Sequence, residues 1–194
     1  LQAIIATKID YNELLVGDKN AIMVGARILA YGSNYSFKYT DPSTRESEEI
    51  TVDLSQLKEK EIDWTQVKEG INEFDFTLPM SKVTVTFKIL SHKDENNIEA
   101  ELKGMQKISK NMSGDITVRL GNSIVAINGN RDQKSIRDFS KSMPMQDSQA
   151  LRKHITSVTP DILMKFNFTT KSGEVVEGLS LPMTVDFFWP DLGL

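Results

Sequence analysis

Cysteine is absent from this 194-residue chain, which excludes a disulfide framework and any thiolate-held metal. The lack agrees with a reducing compartment. Histidine is scarce, with only His92 and His154, so few groups can move protons near neutral pH. Positive charge is not in excess: 23 Lys and Arg face 27 Asp and Glu, a formal net charge of −4. The chain as a whole therefore has no electrostatic drive toward nucleic acid or an anionic membrane. No apolar run approaches the roughly 20 residues that span a bilayer, and no signal-peptide pattern is visible. Residue 1 is Leu rather than Met, which leaves room for a native start ahead of it. A phosphate-cradling glycine loop, a nucleophile elbow and an HExxH pair are all missing.

What is present reads as an ordinary globular chain, 39% hydrophobic and 26% charged, long enough for one elaborated domain or two small ones. Asp18 fits an N-cap for a helix over 19–31, with Gly32 at its left-handed C-terminal cap. Alternation at 35–39 and 50–54 predicts a β-hairpin whose long polar loop holds Asp41 and Pro42. Segment 55–72 is charged and reads as a short helix with a loop. A second hairpin is predicted from 74–78 and 83–89. The period then lengthens: Ile98, Leu102, Met105, Ile108 and Met112 mark an amphipathic helix. Helical spacing continues through Ile116, Leu120, Ile124 and Ile127, although β-branched content leaves a strand open. Two further helices are expected at 133–143 and 147–158, interrupted at Pro144.

The final third returns to strands. Met164, Phe166 and Phe168 alternate, Lys171-Ser172-Gly173 turns, and Leu181, Met183, Val185, Phe187 and Trp189 alternate again. The expected class is α+β: an antiparallel sheet built from hairpins, with a helical insertion at about 91–160. Residues 1–72 would form an N-terminal helix and hairpin region, and 73–194 the α+β region. The expected sheet joins hairpin 73–90 to strands 162–189. In the closing aromatic run, Val185, Phe187 and Trp189 are assigned to the core, and Phe188 points the other way, toward a partner.

Candidate chemistry is thin. His92 lies at a predicted helix start beside Asp94 and Glu95, where a metal would need ligands from elsewhere. His154 lies near a predicted helix C-terminus, where a basic residue suits the helix dipole. Carboxylate runs at 46–49 and 59–61 are interleaved with polar or basic residues and read as solvated surface. The eight methionines could furnish an adaptable binding surface, but their periodic placement favours core packing. Arg131, Lys134, Arg137, Lys141, Arg152 and Lys153 form a modest basic region diluted by Asp132, Asp138 and Asp147. No catalytic, cofactor-binding or metal residues are assigned, and an enzyme is not expected.

Several ordered motifs add a family resemblance. The run Asn12-Glu13-Leu14-Leu15-Val16-Gly17-Asp18-Lys19-Asn20-Ala21-Ile22, continuing to Ala26-Arg27-Ile28-Leu29-Ala30-Tyr31-Gly32, resembles the opening of the baseplate hub proteins of T-even-type contractile-tail phages. Val52-Asp53-Leu54, Leu78-Pro79 and the closing Phe187-Phe188-Trp189-Pro190-Asp191 follow in the same order. Some members of that family carry a cysteine pair in the loop corresponding to 41–48. This chain has none, so no zinc is implied. The resemblance implies a non-enzymatic structural or assembly component of the hub. Its partners would be other hub, tail tube or tape measure proteins, with no nucleic acid and no membrane insertion. A ring of identical copies stays open. Residence would be the virion tail, and host cytoplasm during assembly. Phe188, Trp189, Pro190 and Asp191 are the expected partner contacts. Two alternatives remain: an assembly chaperone absent from the mature particle, and an adaptor associated with nucleic acid.

Overall fold

A computed structural model describes residues 9–108, 114–170 and 173–189. Its helices are α1 (Val16–Tyr31), α2 (His92–Ile108), α3 (Asp115–Ser123), α4 (Gln133–Ser142), α5 (Met145–Val158) and α6 (Val185–Phe188). Its strands are β1 (Asn34–Thr40), β2 (Ser47–Asp53), β3 (Phe74–Thr77), β4 (Thr84–Phe87), β5 (Ile124–Ile127), β6 (Lys165–Thr169) and β7 (Val175–Ser180). All pairings are antiparallel, and the class is α+β as expected.

The described residues divide into two compact units. A terminal unit comprises Asp18–Lys60 and the described residues from Asp161 onward; a middle unit comprises the described residues up to Gly17 and Glu61–Pro160.

In the terminal unit α1 stops where Gly32 takes φ +82°, its N–H donating to the Ile28 carbonyl at 2.9 Å. That is a left-handed cap only glycine adopts at little cost. The helix begins two residues before Asp18, which lies in the first turn rather than at the N-cap. There its charge still complements the helix dipole. The hairpin β1–β2 runs in register from Asn34 opposite Asp53 to Thr40 opposite Ser47. Alternation along β1 puts Tyr35, Phe37 and Tyr39 on one face. Phe166 meets Phe37 edge-on at 5.9 Å, and Phe168 meets Tyr39 at 5.0 Å. Strand β7 kinks at Gly178 (φ +65°), whose N–H donates to Asn167 Oδ1 at 2.8 Å across a register shift. Val24, Tyr35, Leu54, Leu181 and Phe187 form the buried centre.

The middle unit holds the sheet β3-β4-β5 under α2–α5. Its core is Phe74, Leu78, Val85, Phe87, Ile89, Leu120, Ile124, Ile136, Leu151 and Val158. Helix α2 opens with a reciprocal cap: Ser91 N–H donates to Asp94 Oδ2 at 3.0 Å, and Asp94 N–H donates to Ser91 Oγ at 3.4 Å. Asp132 caps α4 by accepting the Ser135 N–H at 2.8 Å.

Further expectations change. The sheet does not join 73–90 to 162–189: β4 pairs with β5, and β6 pairs with β7 in a separate two-stranded sheet. The four-residue run Ile124–Ile127 was open between helix and strand, and as a strand it takes the β4 edge. Segment 55–72 holds only single 3-10 turns at Leu54–Gln56 and Trp64–Gln66, each capped by an aspartate. Strand β7 ends at Ser180, and 185–188 is one helical turn. His154 does not act at a helix end. Its ring stacks on Phe76 at 4.4 Å and meets Phe87 edge-on at 5.6 Å. Of the predicted apolar face of α2, Met112 lies outside the described residues.

Burial lowers the His154 pKa below its ordinary value, because the packed site disfavours the charged ring. The stability this carries is complete above the free-histidine value and is lost as pH falls toward the native one. The urea midpoint should therefore drop between about pH 7.5 and 5.5. In His154→Phe, which keeps a stacked ring without a titrating group, that part of the drop should disappear.

Candidate partner-contact site

The chain's closing turn is anchored from both sides within the terminal unit. Leu181 N–H donates to the Met164 carbonyl at 2.8 Å, and the Tyr35 hydroxyl donates to the Pro182 carbonyl at 3.0 Å. From Thr184 the backbone turns into α6, closed by Phe187 N–H to Thr184 O at 3.1 Å and Trp189 N–H to Val185 O at 3.0 Å. A helical turn groups residues four apart instead of two apart. Phe187 alone is driven fully inside, 0% exposed, with its ring edge-on to Tyr35 at 4.9 Å.

The other aromatics separate accordingly. Phe188 is half-buried, edge-on to Phe187 at 4.9 Å and packed against the terminal core. Val185 and Trp189 are 54% and 56% exposed, so neither holds the core position that strand alternation assigned to it. Asp186 is exposed between them. Pro190 and Asp191 lie outside the described residues. Sequence reasoning missed the outward face of Val185. The available signal was its spacing of four from Trp189, which competes with the period-two pattern.

Tyr35 shows how the turn is seated. Burial raises its hydroxyl pKa and outweighs a hydrogen bond with Thr184 that lowers it, while the Asp186 charge raises it further. Arg27 lies beneath, its guanidinium carbon 4.8 Å from the Tyr31 ring centre and 5.7 Å from that of Tyr35. Its Nη1 donates to the Gly32 carbonyl at 3.3 Å. The turn thus rests on the Tyr35 ring, which Arg27 flanks.

The middle unit contains a cavity of about 640 Å³ whose lining includes Lys88, Asp94, Glu101, Arg137, Ser140 and Lys141. Its Asp94 pairs with Lys88 at 2.7 Å, and the Ser140 hydroxyl donates to the Ile136 carbonyl at 2.8 Å. Burial alone would raise the Asp94 carboxyl, but the Lys88 ammonium and Ser91 donors hold it below its ordinary value. Glu95 is taken by Arg119, both oxygens at 2.9 Å from Nη1. His92 touches the Tyr11 ring and Asn96. The trio His92, Asp94 and Glu95 is thus committed to separate partners, and no group of three metal-binding side chains exists among the described residues. In the basic region Arg131 is held by a two-pronged pair with Glu73 at 2.9 and 2.7 Å. No described helix is long and apolar enough to cross a membrane.

No curated protein and no solved structure matches the chain. One family profile does, described as T4 bacteriophage base plate protein, and it covers residues 1–189. With nearly the whole length matched, the chain belongs to this family and is a T4-type phage baseplate protein.

Proposed function

We propose that the chain is a non-enzymatic structural or assembly component of the baseplate hub, acting through protein–protein contacts. The observation that carries this reading is the family match over residues 1–189. Two further features support it. Asp94 and Glu95 are tied into ion pairs with Lys88 and Arg119, and the closing turn offers apolar surface on an anchored support. The hub assignment itself comes from the ordered motifs that end in Phe187-Phe188-Trp189-Pro190-Asp191. Its partners would be other hub, tail tube or tape measure proteins, met in host cytoplasm during assembly and retained in the tail.

The test is recovery of the chain from infected cells together with mass spectrometry of purified particles. A hub subunit is found in both. A chaperone is recovered with hub proteins but is missing from particles, and a pull-down without tail proteins rejects the hub reading. Among the proposed contacts Phe188, Trp189, Pro190 and Asp191, the first to test is Trp189. Trp189→Ala should fold with its thermal midpoint nearly unchanged, since exposed aromatics contribute little to the fold. Its incorporation into particles should fall several-fold, because truncating a central aromatic of an interface commonly costs about 2 kcal/mol or more. Normal incorporation would remove Trp189 from the contact.

A further inference from the structure

Two cations of the middle unit line its cavity of about 640 Å³ without a partner there. Arg137 and Lys141 stand one turn apart on α4, and both belong to the lining. Each is also exposed, so they lie where the cavity opens to solvent. Among the described residues neither side chain makes an ion pair or a hydrogen bond. The remaining charges of the lining are engaged. Lys88 pairs with Asp94 at 2.7 Å, and Glu101 Oε2 accepts from Asn122 Nδ2 at 3.4 Å. Three cations (Lys88, Arg137, Lys141) thus meet two carboxylates (Asp94, Glu101), and the unpaired positive charge is on α4.

The rest of the wall suits a bound molecule. Its volume falls among those of ligand pockets, roughly 300–1,000 Å³. Met105, Val118, Ile124 and Val125 give it apolar surface. Gly121 also lines it, from inside α3, where glycine weakens a helix. Packing does not demand this glycine: a Cβ there would stand 3.7 Å from Ser140 Oγ, an ordinary contact. What the missing side chain leaves is room in the cavity wall.

Charge selects what fills that room. Unpaired cations one turn apart favour a carboxylate, which accepts from both at once. A polyanion is disfavoured, because Asp94 and Glu101 line the same space and repel phosphates. A peptide meets both demands, with an acidic side chain for α4 and main-chain N–H groups that donate to Glu101. Its apolar side chains cover the apolar wall. We infer that the cavity receives a segment of another baseplate protein in which Asp or Glu adjoins an apolar residue. The inference rests on the protein-contact reading above and adds a second contact, in the middle unit, with its partner chemistry.

The experiment probes the purified full chain with overlapping peptides covering the other tail proteins of the phage, and titrates those that bind. The variants are Arg137→Gln/Lys141→Gln, Gly121→Leu and a control, Lys134→Gln/Lys153→Gln, whose exposed cations lie outside the lining. Each is checked for native circular dichroism. Wild type should bind peptides that join an acidic to an apolar residue, and replacing that acid by its amide should weaken them at least tenfold. Arg137→Gln/Lys141→Gln should lose the same factor, Gly121→Leu should bind more weakly, and the control should bind as wild type does. If Gly121→Leu does not fold, the charge variant decides. The inference is overturned if no peptide binds, if Arg137→Gln/Lys141→Gln binds as wild type does, or if the control loses as much. Displacement of the peptides by a single-stranded oligonucleotide makes the ligand a polyanion and overturns it as well. If no peptide binds while the chain is still recovered with tail proteins from infected cells, the cavity is excluded and the protein-contact reading stands. If acidic peptides bind through Arg137 and Lys141 but come only from proteins outside the hub, the hub assignment alone fails.

Discussion

Phe187→Ala should destabilise the terminal unit by about 3–5 kcal/mol, the usual cost of removing a fully buried phenylalanine ring. The ring has no exposed surface and meets Tyr35 and Phe188 edge-on, both at 4.9 Å. Its loss leaves a cavity among Val24, Tyr35, Leu54 and Leu181 that the packed strands cannot collapse to fill. Tyr35 adds to the cost, because its hydroxyl donates to the Pro182 carbonyl and its ring braces the same turn. Urea unfolding of wild type, Phe187→Ala and Phe188→Ala provides the check. The half-buried Phe188 should cost clearly less. Equal losses at the two positions would mean that α6 is not seated as described.

Asp147→Ala should cost about 3 kcal/mol, from two hydrogen bonds to a charged acceptor at roughly 1.5–3 kcal/mol each. The carboxylate has no exposed surface. Removing it strands the Met80 and Ser81 N–H groups and releases a turn whose Lys82 already sits at positive φ. Asp147→Asn keeps the shape and one oxygen acceptor and should lose less. Acid should act as a partial deletion. Burial pushes the Asp147 carboxyl up, but the Met80 and Ser81 N–H groups, the Ser81 hydroxyl and the Lys82 charge outweigh it and leave the pKa below its ordinary value. For a lowered carboxyl the stabilisation is complete above the unfolded value near 3.9 and is lost as pH falls through the native one. The wild-type urea midpoint should therefore fall below about pH 4, and in Asp147→Ala this component should be missing.

Much of the architecture can be read from the residues, and the misreadings have physical causes. Gly32, the alternation of Tyr35, Phe37 and Tyr39, and the helical spacing of Ile98, Leu102 and Met105 are local signals, and local geometry honours them. Ile124–Ile127 is too short for periodicity to decide between helix and strand, yet its choice determined which strands share a sheet. Tertiary packing then drew β6 to β1 through aromatic pairs that no local pattern announces. Val185 to Trp189 satisfies both period two and a spacing of four, and the need to bury Phe187 settled it as a turn. Asp147 looked like dilution of a basic helix. Its role depends on Met80 and Ser81, more than sixty residues away. The contact candidates were legible as an aromatic cluster, but not which ring faces outward.

The division of the terminal unit between the two ends of the chain bears on synthesis. Its core draws Val24, Tyr35 and Leu54 from one end and Leu181 and Phe187 from the other. Across the intervening segment Lys60 N–H donates to Asp161 O at 2.8 Å and Leu163 N–H to Lys58 O at 2.8 Å, forming a clip between the two strands entering and leaving it. On the ribosome, α1 and the first hairpin emerge early with their apolar faces unmatched, and they wait for the last strands before their core can close. Contacts of such sequence separation form late and slowly. The terminal unit therefore closes only after Leu181 and Phe187 have emerged, and a chain cut short ahead of them leaves the aromatic face of β1 uncovered.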